Sequence, residues 1–136
     1  MPSTTPPPTR PALVGLAVYA VDLDRLVAFY RGVLDLAEVE RGPGFVTLAD
    51  TSCELSVVAI PAEIAARLTV GSPPRLQEDA ALKPVFVVAS LAEAAVRAAE
   101  LGGGTRDQDS AWTFRGLRRL DGFDPEGNVV QFAEVV

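Results

Sequence analysis

The stretch DGFDPEGNVVQF, residues Asp121–Phe132, decides how the rest of the chain is interpreted. Its middle, DPEGN, has turn chemistry, because Pro125 fixes φ and either Gly127 or Asn128 tolerates a positive φ. Val129–Val136 follow as an apolar-rich final strand. The local pattern therefore predicts a hairpin, and a tight turn between two strands is its plainest interpretation.

The two halves of the chain carry the same pattern at an offset of 68 residues. Asp22 and Ser90 each precede a helical stripe of apolar residues, and Leu23 corresponds to Leu91. Each half is predicted to contain one strand, then this helix, then three short strands, which is a βαβββ order. A repeat of one supersecondary unit indicates that neither half closes its core alone. We therefore predict an α+β fold in which two open sheets form a cupped, partly open, barrel-like arrangement, with the helices outside and a ligand site in the cup.

Composition divides the chain into a tail, two modules and a connector. Residues 1–11 are rich in Pro and Thr, which predicts a disordered tail with polyproline II character. Residues 12–136 are expected to form one domain. Its first module spans 12–60, its connector 61–82 and its second module 83–136. A connector of that length is unusual inside one module and natural between two.

Charge and composition exclude several classes of protein. The net charge is −6, from 12 basic and 18 acidic residues without a Lys/Arg run, which argues against a nucleic-acid partner. This balance suits a cationic or neutral small ligand better. No apolar segment approaches the ~20 residues of a membrane span, and no secretory leader is evident. The single Cys53 cannot form an internal disulfide, so a cytoplasmic protein is expected.

The sequence contains no histidine. Metal sites that use histidine are therefore excluded, as are Ser-His-Asp and Cys-His nucleophile systems. A site built from carboxylates alone, for Mg²⁺ or Ca²⁺, stays open on these grounds.

The repeat resembles the vicinal oxygen chelate superfamily, which includes glyoxalase I, fosfomycin-resistance enzymes, extradiol dioxygenases and bleomycin-resistance proteins. The resemblance covers residues 13–136. It rests on the following residues: VDLDR at 21–25, Phe29-Tyr30, Leu34, Leu101-Gly102-Gly103, Gly116-Leu117-Arg118 and the DPEGN turn. It implies a homodimer, and it leaves open whether the halves pair within one chain or between two. It does not fix an activity, because this fold carries many chemistries.

Metal-dependent members of the superfamily carry a histidine on the first strand of each half and a glutamate on the last strand. The positions that the resemblance assigns to them hold Gly15, Lys83 and Gln131, and Glu54 or Ser56 stands where a fourth ligand is sometimes found. Glycine has no side chain, glutamine is neutral, and a lysine ~4 Å from the ion would repel it by ~4 kcal/mol. We therefore predict no metal, no other cofactor and no Lewis-acid catalysis.

Strand alternation predicts which side chains face the cup. If Gly15, Lys83 and Gln131 face the cup, then the residues two positions away on the same strands also face it. The bulkier residues at the intervening positions then face the helices. The predicted ligand-binding residues are Tyr19, Glu54, Lys83, Val85, Trp112 and Gln131. Trp112, expected in a loop, could stack on a ligand or pack at a subunit contact. Lys83 could instead pair with Glu54, and Arg118 is expected to pair with Asp121 or Asp124.

Three functions stay open. The first is a metal-independent protein that sequesters an aromatic or antibiotic-like small molecule in the cup. The second is a metal-independent isomerase, epimerase or lyase that uses Lys83 with Tyr19 or Glu54 as acid and base, which makes Lys83 the candidate catalytic residue. The third is a cup that serves only assembly.

Overall fold

The first module has the predicted βαβββ order. A computed structural model describes residues 11–136, so all but the last residue of the predicted tail lies outside the described part. The elements are β1 (Leu16–Ala20), α1 (Leu23–Leu34), β2 (Ala37–Gly42), β3 (Phe45–Ala49) and β4 (Glu54–Ala59). Their sheet has the order β1-β4-β3-β2, with β1 parallel to β4 and the other pairs antiparallel.

The connector contains one short helix and then irregular chain. Helix α2 (Ala62–Ala65) is a single turn. Farther along, the amide of Gln77 donates a 2.8 Å hydrogen bond to the carbonyl of Gly127. The connector thus contacts the turn of the final hairpin.

The second module repeats the order of the first with one extra strand. Its elements are β5 (Val85–Val87), α3 (Leu91–Glu100), β6 (Gly104–Thr105), β7 (Trp112–Phe114), β8 (Leu117–Phe123) and β9 (Val129–Val135), with a 3-10 turn at Gln108–Ser110. The sheet order is β5-β9-β8-β6, and β7 also pairs with β8. Trp112 therefore lies in a strand, and its predicted place in a loop was wrong. Three residues in extended conformation between turns give too little periodicity to identify a strand.

The predicted helix caps are both present. The Asp22 carboxylate accepts a 3.2 Å hydrogen bond from the amide of Arg25, and the Ser90 hydroxyl accepts a 3.2 Å bond from the amide of Glu93. Each cap satisfies an amide that the first turn of a helix leaves without a backbone partner. The equivalence of Asp22 and Ser90 confirms that the sequence repeat is a repeat of structure.

A single hydrophobic core joins the helix-covered faces of the two sheets, and α1 contacts α3 within it. The largest side chains fully buried there are Tyr30, Phe29, Phe132, Leu26, Leu48, Leu55, Leu91 and Leu120. As predicted, Phe86, Val130 and Phe132 face the helices and are buried. The opposite faces of the sheets carry exposed residues such as Tyr19 and Val87. Within residues 11–136 the sheets do not close into a barrel.

The turn at the end of the final hairpin fastens the second module to the first. Glu126, only 8% exposed, accepts hydrogen bonds of 2.8 Å from the amide of Val21 and 2.7 Å from the amide of Asp22. These amides lie at the start of α1, where a negative charge is also favoured by the helix dipole. The DPEGN turn is therefore an intermodule contact as well as a hairpin. Gly127 in this turn has the positive φ expected of it, 85°.

Candidate functional site

One face of the second sheet collects four of the six predicted ligand-binding residues. Residues that pair across neighbouring strands point to the same face of a sheet. Gln131 pairs with Val85 and with Asp121, and Trp112 pairs with Arg119, which lies two residues from Asp121 on β8. These five side chains therefore share a surface, which we call the second cup face. The pairing of Val85 with Gln131 confirms the alternation of side chains predicted for β5 and β9.

A chain of three polar contacts crosses the second cup face. The Lys83 ammonium lies 2.9 Å from Oδ2 of Asp121. Oδ1 of Asp121 accepts a 3.2 Å hydrogen bond from Nε2 of Gln131, and Oε1 of Gln131 accepts a 3.1 Å bond from Nη1 of Arg119. The amide of Gln131 thus donates at one end and accepts at the other, which a carboxylate in its place could not do.

The structure corrects two predicted ion pairs. Lys83 pairs with Asp121 rather than with Glu54, because strand register places Asp121 beside Gln131 on the same sheet as Lys83. Arg118 pairs with neither Asp121 nor Asp124. Its side chain lies on the opposite face of β8 from Arg119 and donates a 3.3 Å hydrogen bond to the carbonyl of Gln108.

Arg119 is a site residue that the sequence interpretation missed. Its Nε donates a 3.2 Å hydrogen bond to the carbonyl of Phe114, and its guanidinium lies 5.1 Å from the centre of the Phe114 ring. A guanidinium over an aromatic ring is stabilised by a cation–π interaction. The signal that could have identified Arg119 is its spacing of two from Asp121, but using it required the β8–β9 register.

The first sheet holds the other two predicted residues, Tyr19 and Glu54. Tyr19 pairs with Val58 between β1 and β4, and alternation along β4 puts Ser56 and Glu54 on the same side as Val58. We call this surface the first cup face. The hydroxyl of Ser56 lies 2.8 Å from that of Thr47, so both are satisfied near its centre.

Both cup faces carry exposed side chains in the single chain, although Gln131 and Ala133 on the second are buried. Tyr19 is 64% exposed on the first, whereas Val87 and Trp112 are 63% and 42% exposed on the second. The structure therefore brings Lys83, Val85, Trp112 and Gln131 together on one sheet and leaves Tyr19 and Glu54 on the other.

Two cavities in the described residues lie along the helices instead. One, of about 690 Å³, is lined by residues of α1 with Arg41 and Arg97. The other, of about 310 Å³, lies between the end of α1 and the start of α3. The polar chain of the second cup face lines neither of them.

The residues at the family's metal positions do not fit a divalent ion. A side chain at Gly15 would bring its Cβ to 2.4 Å from the carbonyl oxygen of Glu54, so a ligand there requires the backbone to move. Lys83 contributes a positive charge, and both ends of the Gln131 amide already have partners. Within residues 11–136, no three acidic or cysteine side chains lie close enough together to hold a metal.

Cys53 does not act as an activated thiol in this structure. Burial raises the pKa of its thiol, and the charge of the nearby Asp50 raises it further. A nucleophilic cysteine needs the opposite shift. Cys53 is half-buried and packs against the hydrophobic core.

Comparison with known proteins places this architecture in a family. The profile of the family described as a glyoxalase-like domain matches residues 15–133. The chain belongs to this family, within the wider group of glyoxalase, bleomycin-resistance and dioxygenase proteins. No curated protein matches the sequence.

Solved structures share the fold at low sequence identity. A glyoxalase/bleomycin resistance protein/dioxygenase family enzyme from Burkholderia phytofirmans PsJN is 19% identical, with a TM-score of 0.66 over 92% of this chain and 100% of that chain. The fosfomycin resistance protein FosX from Mesorhizobium loti is 15% identical, with a TM-score of 0.64 over 92% of each chain.

A FosX mutant from Listeria monocytogenes, in complex with Mn(II) and 1S,2S-dihydroxypropylphosphonic acid, is 14% identical, with a TM-score of 0.63 over 90% of this chain and 88% of that chain. At such identities the likeness concerns the fold alone. No helix in the described part of this chain has the length and apolarity needed to cross a membrane.

Proposed function

We propose that this chain is a small-molecule binding protein that sequesters an aromatic or antibiotic-like ligand against its cup faces without a metal ion. The observation that carries the proposal is the Lys83–Asp121–Gln131–Arg119 chain of contacts. Where the family's metal-dependent members hold an ion, this protein holds polar side chains that satisfy one another. Such a surface orients a ligand by hydrogen bonds instead of activating it through a Lewis acid.

The wall beside this polar chain suits an aromatic ligand. Trp112 and Phe114 lie on the same side of β7, since residues two apart share a face, and both are more than a third exposed. Val85 and Val87 add an apolar surface on the far side of Gln131. An exposed aromatic pair beside a few polar groups is a typical composition for recognising a flat ring.

The proposal includes a homodimer in which the first cup face of one copy covers the second cup face of another. The two modules of one chain already share a core through α1 and α3, which leaves both cup faces outside it. Covering them would remove Tyr19, Val87 and Trp112 from water, and exposed apolar surface of this kind marks an interaction site. A closed dimer of this sort is isologous, so it forms the same cup twice.

The enzymatic alternative finds no support in the geometry. It needs the amine of Lys83 free to contact a substrate, whereas the Lys83 nitrogen lies 2.9 Å from a carboxylate oxygen of Asp121. Within one chain its predicted partners, Tyr19 and Glu54, lie on the other sheet, so Lys83 meets them only across the proposed dimer. The single free cysteine is consistent with the cytoplasmic location that we include in the proposal.

The direct test is a titration of the purified protein with a panel of aromatic compounds, followed by the fluorescence of Trp112, the only tryptophan. We expect saturable binding that chelators do not affect, with the compound recovered unchanged. The variant Trp112→Phe removes the fluorophore and part of the aromatic wall, so calorimetry should show weaker binding than for the wild type. Loss of binding after chelation, or conversion of a compound, would overturn the proposal.

A further inference from the structure

The charges of the second cup face do not cancel. Lys83 and Asp121 form an ion pair at 2.9 Å and neutralise each other. Gln131 is neutral and bonds both Asp121 and Arg119. The guanidinium of Arg119 is therefore left as one uncompensated positive charge on a chain whose net charge is −6. The net negative charge of the chain, which favoured a cationic or neutral ligand, does not describe the surface where the ligand is proposed to bind.

Arg119 is also held in place before any ligand arrives. Its Nε and Nη1 donate to the carbonyl of Phe114 and to Gln131, and its plane lies near the Phe114 ring. Within residues 11–136 its Nη2 has no hydrogen-bond acceptor, so two N–H groups remain to donate. A fixed side chain loses little rotamer freedom when it binds, which favours recognition by preorganisation.

From this geometry we infer that the ligand is an aromatic carboxylate whose anionic group binds Arg119 and whose ring lies against Trp112. The inference rests on the proposed function and specifies its ligand class. Trp112 pairs with Arg119 across β7 and β8, so ring and anion sites are direct neighbours on one face. Cross-strand partners have Cβ atoms ~5 Å apart, so one small molecule can contact both side chains at once. Charge-assisted hydrogen bonds to a guanidinium supply the specificity.

The experiment compares three probes of one shape: benzoate, benzyl alcohol and benzylamine. Calorimetry on the full chain measures their affinities, so the readout does not depend on Trp112. We expect benzoate to bind at least ~10-fold more tightly than the other two. Added salt should weaken the binding of benzoate and leave the binding of benzyl alcohol unchanged, because of these two only benzoate carries a charge that salt can screen.

The variants Arg119→Gln and Arg118→Gln form a matched pair. Both remove one positive charge from β8, but Arg118 lies on the opposite face and bonds the carbonyl of Gln108. We expect Arg119→Gln to weaken benzoate by about 10- to 100-fold, the range for one charge-assisted hydrogen bond, and Arg118→Gln to have no effect. Circular dichroism and thermal unfolding are the controls that test whether both variants are folded.

The outcomes separate the inference from the function it rests on. Equal affinity for benzoate and benzyl alcohol, or benzoate binding that survives Arg119→Gln, would overturn the anion site and leave aromatic sequestration standing. Failure of all three probes to bind would overturn the proposed function together with the inference.

Discussion

Tyr30 and Asp124 join the two modules through a buried hydrogen bond: the Tyr30 hydroxyl donates to Oδ2 of Asp124 over 2.7 Å. Tyr30 is 1% exposed and Asp124 is 0% exposed. Asp124 accepts three further bonds, one from the amide of Glu126 and two from Asn128. A buried carboxylate is tolerated because four donors replace the water it has lost.

Replacing Tyr30 by Phe should lower the free energy of unfolding by about 1.5–3 kcal/mol, the range for a hydrogen bond to a charged group. The lower end is expected, because Asp124 keeps its other three donors. Urea denaturation at pH 7 measures the difference. The matched control is Tyr19→Phe, which removes the hydroxyl of the exposed tyrosine and should change stability little. Equal stability of the Tyr30→Phe variant and the wild type would contradict this account.

The same pair predicts how stability depends on alkaline pH. Burial, and then the charge of Asp124, raise the pKa of Tyr30 well above its ordinary value of 10.0. Above pH 10 the unfolded chain loses the tyrosine proton while the folded chain keeps it, so the contribution is complete below pH 10 and is lost as pH rises. Between pH 10 and 11.5, wild-type stability should fall more steeply than that of Tyr30→Phe, by up to ~1.4 kcal/mol per pH unit. If stability depended on pH in the same way in both proteins, the raised pKa of Tyr30 would be refuted. All other titratable groups are common to the two proteins, so they cancel in the comparison.

The repeat made much of this fold predictable, but not its intermodule contacts. The helix caps at Asp22 and Ser90 followed from local sequence, because a cap involves only the next three residues. The hydrogen bonds that Tyr30 donates to Asp124 and that Val21 donates to Glu126 span 94 and 105 residues. Local patterns identify Asp124 and Glu126 only as turn residues. Their second role depends on how the modules pack.

The carboxylate of Glu126 should be more important for stability than its place in a turn indicates. In Glu126→Gln one acceptor oxygen remains for two backbone donors, and the new NH₂ group faces an amide. We expect a loss of about 1–3 kcal/mol in the free energy of unfolding, the cost of an unsatisfied buried donor. Hydrogen exchange should show faster exchange at the amides of Val21 and Asp22. Glu63→Gln, an exposed carboxylate in α2, is the control and should change neither quantity.

Those features of the site that depend only on the alternation of side chains along a single strand could be predicted from the sequence. Gln131 and Val85 were assigned to one face from strand alternation, and β5 and β9 have that orientation. Arg119 was missed and Lys83 was given the wrong partner, because both depend on the register of β8 against β9. Register is fixed by the turn and by packing of the whole sheet, not by the sequence of one strand.

The proposed dimer predicts that a charge on the second cup face prevents association. Val87 is 63% exposed on that face, and Val96 is 59% exposed on the outer side of α3. Sedimentation velocity should show a dimer for the wild type and for Val96→Asp, and a monomer for Val87→Asp, because the carboxylate would be buried without a partner. A monomeric wild type at all concentrations, or a dimeric Val87→Asp, would show that the cup faces are not the interface.

Restoring the family's carboxylate should not restore a metal site. Gln131→Glu puts a carboxylate where Nε2 now donates to Asp121 over 3.2 Å, so the two negative charges repel while Arg119 keeps its acceptor. We expect a stability loss of about 1 kcal/mol and no saturable Mn²⁺ or Zn²⁺ binding by calorimetry, because Gly15 supplies no ligand and Lys83 a positive charge. Gln108→Glu, an exposed position in the 3-10 turn, controls for the added charge. Stoichiometric metal binding by Gln131→Glu, but not by Gln108→Glu, would contradict this account of the donor set.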